Sequence, residues 1–244
     1  MKLKLTTVTL GVIAFAALAG AALDVVRLAW KPKKGTSAKY AVRKTYETEF
    51  SEITYEFNSV VRVETIEDGK VVLAIENSSP TVTSDGPTGC GIQVYIPTVR
   101  ATYSRQGEYL STEKLNSTWA GPGQMTASQV VRFGHMNALV LPDKPIKKGD
   151  SWVHAVNSNS NIGALAAKGT YKYLGTERID KWSTYKISFQ YEETSGEEWQ
   201  RMSATGTKWI STEDGSVVQE KVIIINAQIA VHSVPIEIER KRIN

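Results

Sequence analysis

The chain has 244 residues, with 29 Lys and Arg against 25 Asp and Glu, for a formal net charge of +4. Such a near-even balance excludes the strongly basic class of nucleic-acid binder, which needs Lys and Arg clustered on one face. A single cysteine, Cys90, excludes an internal disulfide framework, so burial and hydrogen bonding must hold the fold.

Met1-Lys2-Leu3-Lys4 precedes an apolar run from Leu5 to Leu23, the layout of a secretory signal peptide over residues 1–22. Ala17-Leu18-Ala19 and Ala19-Gly20-Ala21 both fit a small-residue cleavage pattern. The rival is an uncleaved anchor, since the run approaches the roughly 20 residues that a bilayer needs. Thr6, Thr7 and Thr9 dilute the run, which favours cleavage, with no later membrane span. Losing Lys2 and Lys4 leaves 27 of the 29 basic residues against 25 acids, a formal charge of +2. The predicted location is secreted or periplasmic.

Beyond the leader the period is two. Tyr55-x-Phe57 and Val61-x-Val63 alternate with polar residues, Asp68-Gly69 signals a hairpin, and Val71, Leu73 and Ile75 alternate on the return. Residues 79–91 hold Pro80, Gly86, Pro87, Gly89 and Gly91, a turn-rich loop in which Cys90 reads as a small buried residue. Gly121-Pro122-Gly123 breaks the strand pattern, and 124–140 is the best helical candidate. Val130, Val131, Met136 and Leu139 there share a face, Thr126 or Ser128 can cap it, and Gly134 counts against it. Ile162 to Lys168 reads as a second short helix or a loop. Tyr185, Ile187, Phe189 and Tyr191 share one strand face, and Trp199, Arg201 and Ser203 are expected to continue the sheet. Asp214-Gly215 closes a hairpin between Trp209-Ile210 and Val217 to Ile225. Val222-Ile223-Ile224-Ile225 is apolar on both faces, which predicts cover on both sides. Ile236-x-Ile238 alternates with charges in a last strand with one wet face.

The pattern also repeats. Lys31-Pro32-Lys33-Lys34-Gly35 returns as Lys144-Pro145-Ile146-Lys147-Lys148-Gly149, and the turn at Asp68-Gly69 has a counterpart at Asp180-Lys181. Ser104-Arg105-Gln106-Gly107-Glu108 corresponds to Ser211-Thr212-Glu213-Asp214-Gly215. Three ordered landmarks predict two β-meander modules, 28–116 and 142–244, joined by a 117–141 linker with a short helix and forming one domain. The Lys-Pro-Lys-Lys-Gly motif is a turn, with Pro presetting one dihedral, Gly supplying another, and Asp150 suited to an Asx turn. The fold class that follows is mainly β: a large curved antiparallel sheet of about eleven strands, a half-barrel or open barrel.

No motif for chemistry emerges. His135, His154 and His232 are far apart in sequence, and no H-E-x-x-H or Cys/His cluster exists, so no metal ligands, catalytic residues or cofactor are assigned. No G-x-S-x-G elbow is present. Glu192-Glu193 and Glu197-Glu198 flank Ser195-Gly196 and read as a solvated hairpin tip, because adjacent strand residues face opposite ways. Trp30, Trp119, Trp152, Trp182, Trp199 and Trp209 either fill the core, as sheets use aromatics, or line a ligand surface.

The run from Leu141-Pro142-Asp143-Lys144-Pro145 through Gly149-Asp150-Ser151-Trp152, with Gly206-Thr207-Lys208-Trp209-Ile210-Ser211 and Asp214-Gly215, resembles a diffuse group of uncharacterised bacterial secreted proteins. The departures from that pattern are Ile146 for Val, Ser211 for Asp and Asp214 for Thr. The resemblance implies a duplicated β-meander and no activity. In architecture the chain is similar to bacterial lipoprotein-carrier half-barrels, which hold acyl chains in a concave sheet; this likeness implies a lipid or other amphipathic ligand.

The expected function is therefore that of an exported, non-catalytic envelope protein binding a lipid or amphipathic small molecule in a curved sheet. The alternatives are a structural module that binds an envelope protein or glycan, and an enzyme assembled from dispersed residues. The sequence names no ligand-binding residue.

Overall fold

A computed structural model of the chain describes residues 25–47, 51–85, 98–114, 125–229 and 232–244. The predicted leader, Cys90, Trp119, Gly121-Pro122-Gly123 and the 79–91 loop beyond Asp85 lie outside the described residues.

The period-two segments form strands β1 (Ser37–Glu47), β2 (Glu52–Glu67), β3 (Lys70–Asn77), β4 (Thr81–Ser84), β5 (Val99–Ser104) and β6 (Tyr109–Lys114). After helix α1 (Ala127–Asn137) come β7 (Ser151–Val156), β8 (Ala167–Ile179), β9 (Trp182–Glu193), β10 (Ser203–Ser211), β11 (Val217–Ile229) and β12 (His232–Arg242). All belong to one antiparallel sheet in the order β6-β5-β3-β2-β1-β12-β11-β10-β9-β8-β7, with β4 paired to the start of β2. The expectation of about eleven strands missed β4, where β-branched Thr81, Val82 and Thr83 pair with Tyr55, Thr54 and their neighbours at the edge of the turn-rich loop.

Each half is a meander, and the halves join where β1 pairs with β12 from Tyr40↔Arg242 to Tyr46↔Ile236. The sheet does not close, and β6 and β7 are its free edges. A strap of chain after α1 ties those edges together. Leu141 N–H donates to Gln106 O (2.8 Å), the Gln106 side-chain amide donates to Asp143, and Trp152 Nε1 donates to Val140 O (2.7 Å). Val26 and Ile146 exchange both backbone hydrogen bonds, which seats the segment before Trp30 beside the strap.

The Lys-Pro turns hold equivalent places in the two halves. Gly35 N–H donates to Val63 O (2.8 Å) and Val63 N–H to Thr36 O (2.9 Å); Gly149 N–H donates to Tyr173 O (2.8 Å) and Tyr173 N–H to Asp150 O (3.0 Å). Both glycines sit at positive φ, 82° and 95°, where other residues are strained. The Asp150 carboxylate accepts from Lys147 N–H (3.0 Å), bracing the turn from the side chain. Asp68-Gly69 joins β2 to β3 and Asp180-Lys181 joins β8 to β9. Ser104 to Gly107 and Ser211 to Gly215 begin the β5–β6 and β10–β11 turns.

Helix α1 lies within the expected 124–140 and starts on a capping box. Gln129 N–H donates to Thr126 Oγ1 (3.2 Å), and Thr126 N–H donates to Gln129 Oε1 (2.6 Å). Its packed side runs through Gln129, Phe133 and Met136 rather than Val130. Gly134 has a steric role: a β-carbon there would enter the ring of Tyr109. Thr126→Ala should destabilise the protein by about 1 kcal/mol through loss of the cap, a shift readable in urea unfolding.

The core lies between α1, the strap and the inner face of β8–β12, where Met136, Ile187, Met202, Ile210, Ile224 and Ile236 are nearly inaccessible. Three sequence expectations need correction, and one open choice is decided. Val222 and Ile224 are buried, but Ile223 and Ile225 are 49% and 54% exposed, because none of the described residues forms a second layer over the outer face there. Trp199 sits in a 3-10 turn, Glu198–Gln200, and is 65% exposed, so β10 starts only at Ser203. The Ile162 to Lys168 segment is no helix: Asn159 and Ala164 pair across a tight turn, and Ala167 and Lys168 open β8. Of the carboxylates assigned to a wet hairpin tip, Glu193 is buried, because Arg132 from α1 reaches it.

Candidate functional site

The sheet has two faces of different character along its length. The inner face is the one covered by α1 and the strap. Within the second half its side chains are sealed, as with Tyr171, Tyr173, Ile187, Phe189 and Val222, each at most 5% exposed. Cross-strand pairing carries the same face into the first half through Ala38↔Val61, Val61↔Ile75, Ile75↔Val99 and Val63↔Leu73. There Val61, Val63, Leu73, Ile75 and Val99 are only half-buried. These apolar residues share one face and stay half-exposed, an incompletely covered trough, whereas the equivalent region of β8–β11 is packed shut.

Beside the trough, on the same face, lies an ionic cluster that composition does not reveal. Lys208 Nζ donates to Glu220 Oε2 (3.0 Å) and to Asn137 O (2.8 Å) at the end of α1. Arg240 Nε lies 3.1 Å from Glu220 Oε1 without hydrogen-bonding alignment, and its guanidinium stacks on Tyr40 at 4.9 Å. Lys44 lies next along β1, its ammonium 5.7 Å from the centre of the Phe57 ring. The row Lys208↔Glu220↔Arg240↔Val42↔Phe57 crosses five strands, which is why these groups meet although they are far apart in sequence. Burial alone would raise the Glu220 pKa, but Arg240 and Lys208 outweigh it and hold the carboxyl at about 2. For Lys44 and Lys208 burial wins, and both ammonium groups are held below the usual lysine range despite Glu220. Tyr103, across the curl on β5, is pushed up to about 12 by burial and senses both Arg240 and Glu220.

A groove of about 620 Å³ runs along β1, β2, β11 and β12, lined mostly by outward residues such as Ala41, Arg43 and Lys221 but also by Phe57, Glu220 and Arg240. Its charges are already balanced in pairs such as Lys221–Glu239 at 2.6 Å.

The histidines are divided. His135 on α1 and His154 on β7 come together at the seam between the sheet edges, with the His135 ring 5.0 Å from that of Tyr109. Burial lowers the His135 pKa, with Glu108 opposing and His154 adding to the effect. His154 Nε2 is 3.7 Å from Glu108 Oε1, beyond hydrogen-bond reach. His232 starts β12, in the middle of the strand order and away from both edges. Among the described residues no cluster of three His, Cys, Asp or Glu could hold a metal, and no helix is long and apolar enough to cross a membrane.

Of the aromatics, Trp30 and Trp152 pack against the core and Trp209 is buried, while Trp182 lies under Arg242 at 4.1 Å. Sequence reasoning missed Lys44, Lys208, Glu220 and Arg240. The one available signal was a Lys and a Glu at inward positions of strands that are otherwise apolar there, Lys208 before Ile210 and Glu220 between Val218 and Val222.

No protein-family model matches the chain, and no curated protein matches it. Among solved structures, it is similar to lipovitellin, in a structure of lipid–protein interactions, at 13% identity and a TM-score of 0.49 over 87% of this chain. The chain spans only 25% of that lipovitellin chain. It is similar to the hypothetical lipoprotein YmcC of Escherichia coli K12 at 16% identity and a TM-score of 0.36, covering 86% of this chain and 89% of that one. A DUF1329 family protein of Desulfovibrio piger shows 10% identity and a TM-score of 0.27, covering 85% and 84%. None of these likenesses is close enough to carry a function to this chain.

Proposed function

We propose that the protein is an exported, non-catalytic envelope component that holds a lipid or other amphipathic ligand on the inner face of its curved sheet. The observation that supports this most is the half-buried apolar trough of Val61, Val63, Leu73, Ile75 and Val99, set beside a second half whose inner face is packed. An acyl chain laid there would complete the burial of these side chains, at roughly 25 cal/mol for each Å² of apolar surface covered. Export rests on the leader pattern at 1–22. The reading includes a duplicated origin for 28–116 and 142–244, supported by the matched hydrogen bonds at Gly35 and Gly149.

Native mass spectrometry of the protein purified without detergent tests the reading. A co-purified lipid mass, or saturable binding of a fluorescent fatty acid weakened by Leu73→Asp, is the expected result. Finding neither lipid nor binding contradicts it.

The interaction-module reading has one observation of its own. Ile223 and Ile225 are exposed side by side on the outer face of β11, an apolar pair on an uncovered face. It predicts a protein or glycan partner whose binding is lost on Ile223→Lys while fatty-acid binding is kept.

A further inference from the structure

We propose that the ligand of the trough carries an anionic head, seated against Lys44 and Arg240 at the ionic cluster. The inference rests on the proposed lipid-binding function and adds the charge of the ligand to it.

The first ground is an imbalance of charge. Three cations, Lys44, Lys208 and Arg240, surround one carboxylate, Glu220. Both oxygens of that carboxylate are engaged, Oε2 by Lys208 at 3.0 Å and Oε1 by Arg240 at 3.1 Å. Lys208 is completed by Asn137 O. Lys44 has no hydrogen bond or ion pair among the described residues, only the face of Phe57. Arg240 Nε, although close to Glu220, also makes no hydrogen bond. A half-buried cation with no acid in hydrogen-bond contact favours a counter-charge supplied from outside the protein. Here the protein's own acids leave the cluster positive. Arg242 and Asp214, which also act on Tyr40, offset each other in sign and do not change that excess.

The second ground is position. Phe57, beneath the Lys44 ammonium, forms with Tyr40 and Val42 the cluster against which Val61, the first residue of the trough, packs. The cationic groups and the apolar trough are therefore continuous on one face. A carboxylate or phosphate head at Lys44 and Arg240 would gain charge-assisted hydrogen bonds while its chain lies along Val61, Ile75 and Val99. A neutral head would leave Lys44 as it is. The depressed Lys44 pKa fits a site awaiting a counter-charge, since burial outweighs Glu220 there.

Calorimetric titration of the full chain with three matched probes tests this: hexadecanoate, hexadecanol and acetate. The expected result is hexadecanoate binding at least about tenfold more tightly than hexadecanol, with acetate too weak to measure. Lys44→Met should remove the preference without altering hexadecanol affinity, and Lys44→Arg should restore it. The comparison of probes on the unaltered protein needs no variant to fold. Equal affinity for hexadecanoate and hexadecanol overturns the anionic head but leaves the trough. Binding of neither chain overturns both readings. Acetate binding as tightly as hexadecanoate marks a free-anion site and overturns the proposal.

Discussion

Arg132→Met is expected to cost about 3–5 kcal/mol of folding stability, among the largest effects of any single substitution in this chain. Arg132 leaves α1 and grips Glu193 on β9 with two hydrogen bonds, Nε to Oε1 at 2.7 Å and Nη2 to Oε2 at 2.6 Å. It also donates to Gln200 O (2.6 Å), and Glu193 Oε2 accepts from Met202 N–H (2.7 Å), so one pair joins the helix, β9 and the turn before β10. The Glu193 side chain has no exposed surface and that of Arg132 is 11% exposed. Removing the guanidinium strands a carboxylate in the core, and its desolvation is no longer offset. Replacing both groups together, Arg132→Met with Glu193→Leu, should recover much of the loss, because the pair itself is worth less than either orphan. Urea unfolding of the single and double variants checks this; equal losses in both would contradict the account.

Glu220→Gln is expected to be comparably damaging and to change how stability depends on pH. In the folded protein the Glu220 carboxyl titrates near 2, against an ordinary value of 4.5. A depressed carboxyl contributes stability that is fully present above pH 4.5 and is lost as the pH falls through 2. The size of the shift corresponds to about 3 kcal/mol. The native protein should therefore weaken on acidification across that window, and the Gln variant should start lower and show a flatter profile. Thermal unfolding from pH 6 to pH 2 reads both. The same substitution leaves Lys44, Lys208 and Arg240 without any acid, and added hexadecanoate should protect the variant more than the native protein.

The strand pattern was legible because side chains alternate with a period of two and each hairpin carries its own turn chemistry. Asp68, Gly69 and Gly215 take positive φ where the sequence placed Asp-Gly turns. The helix was legible from its cap, and Gly134, which argued against it, proved to be the point where Tyr109 packs. What stayed hidden depends on long-range geometry. Nothing local tells that β1 pairs with β12, yet that junction brings Lys44 beside Arg240 and so creates the ionic cluster. Glu193 read as solvated because it belongs to two carboxylate pairs flanking Ser195-Gly196 whose adjacent members face opposite ways on a strand, while the arginine that buries it is far away in sequence. Val222 to Ile225 read as covered on both faces because an apolar run does not say whether a second layer exists. The trough was invisible for the opposite reason: Val61, Leu73 and Ile75 look like any inward strand positions, and only the packed second half shows that they are under-filled.

Photo-crosslinking with a diazirine-bearing fatty acid, mapped by peptide mass spectrometry, tests the central claim most directly. Adducts concentrated on β2, β3 and β5 at Val61, Leu73, Ile75 and Val99 are predicted, with competition by unlabelled hexadecanoate. Adducts confined to the outer face, at Ile223 and Ile225 or around Ala41, would contradict it.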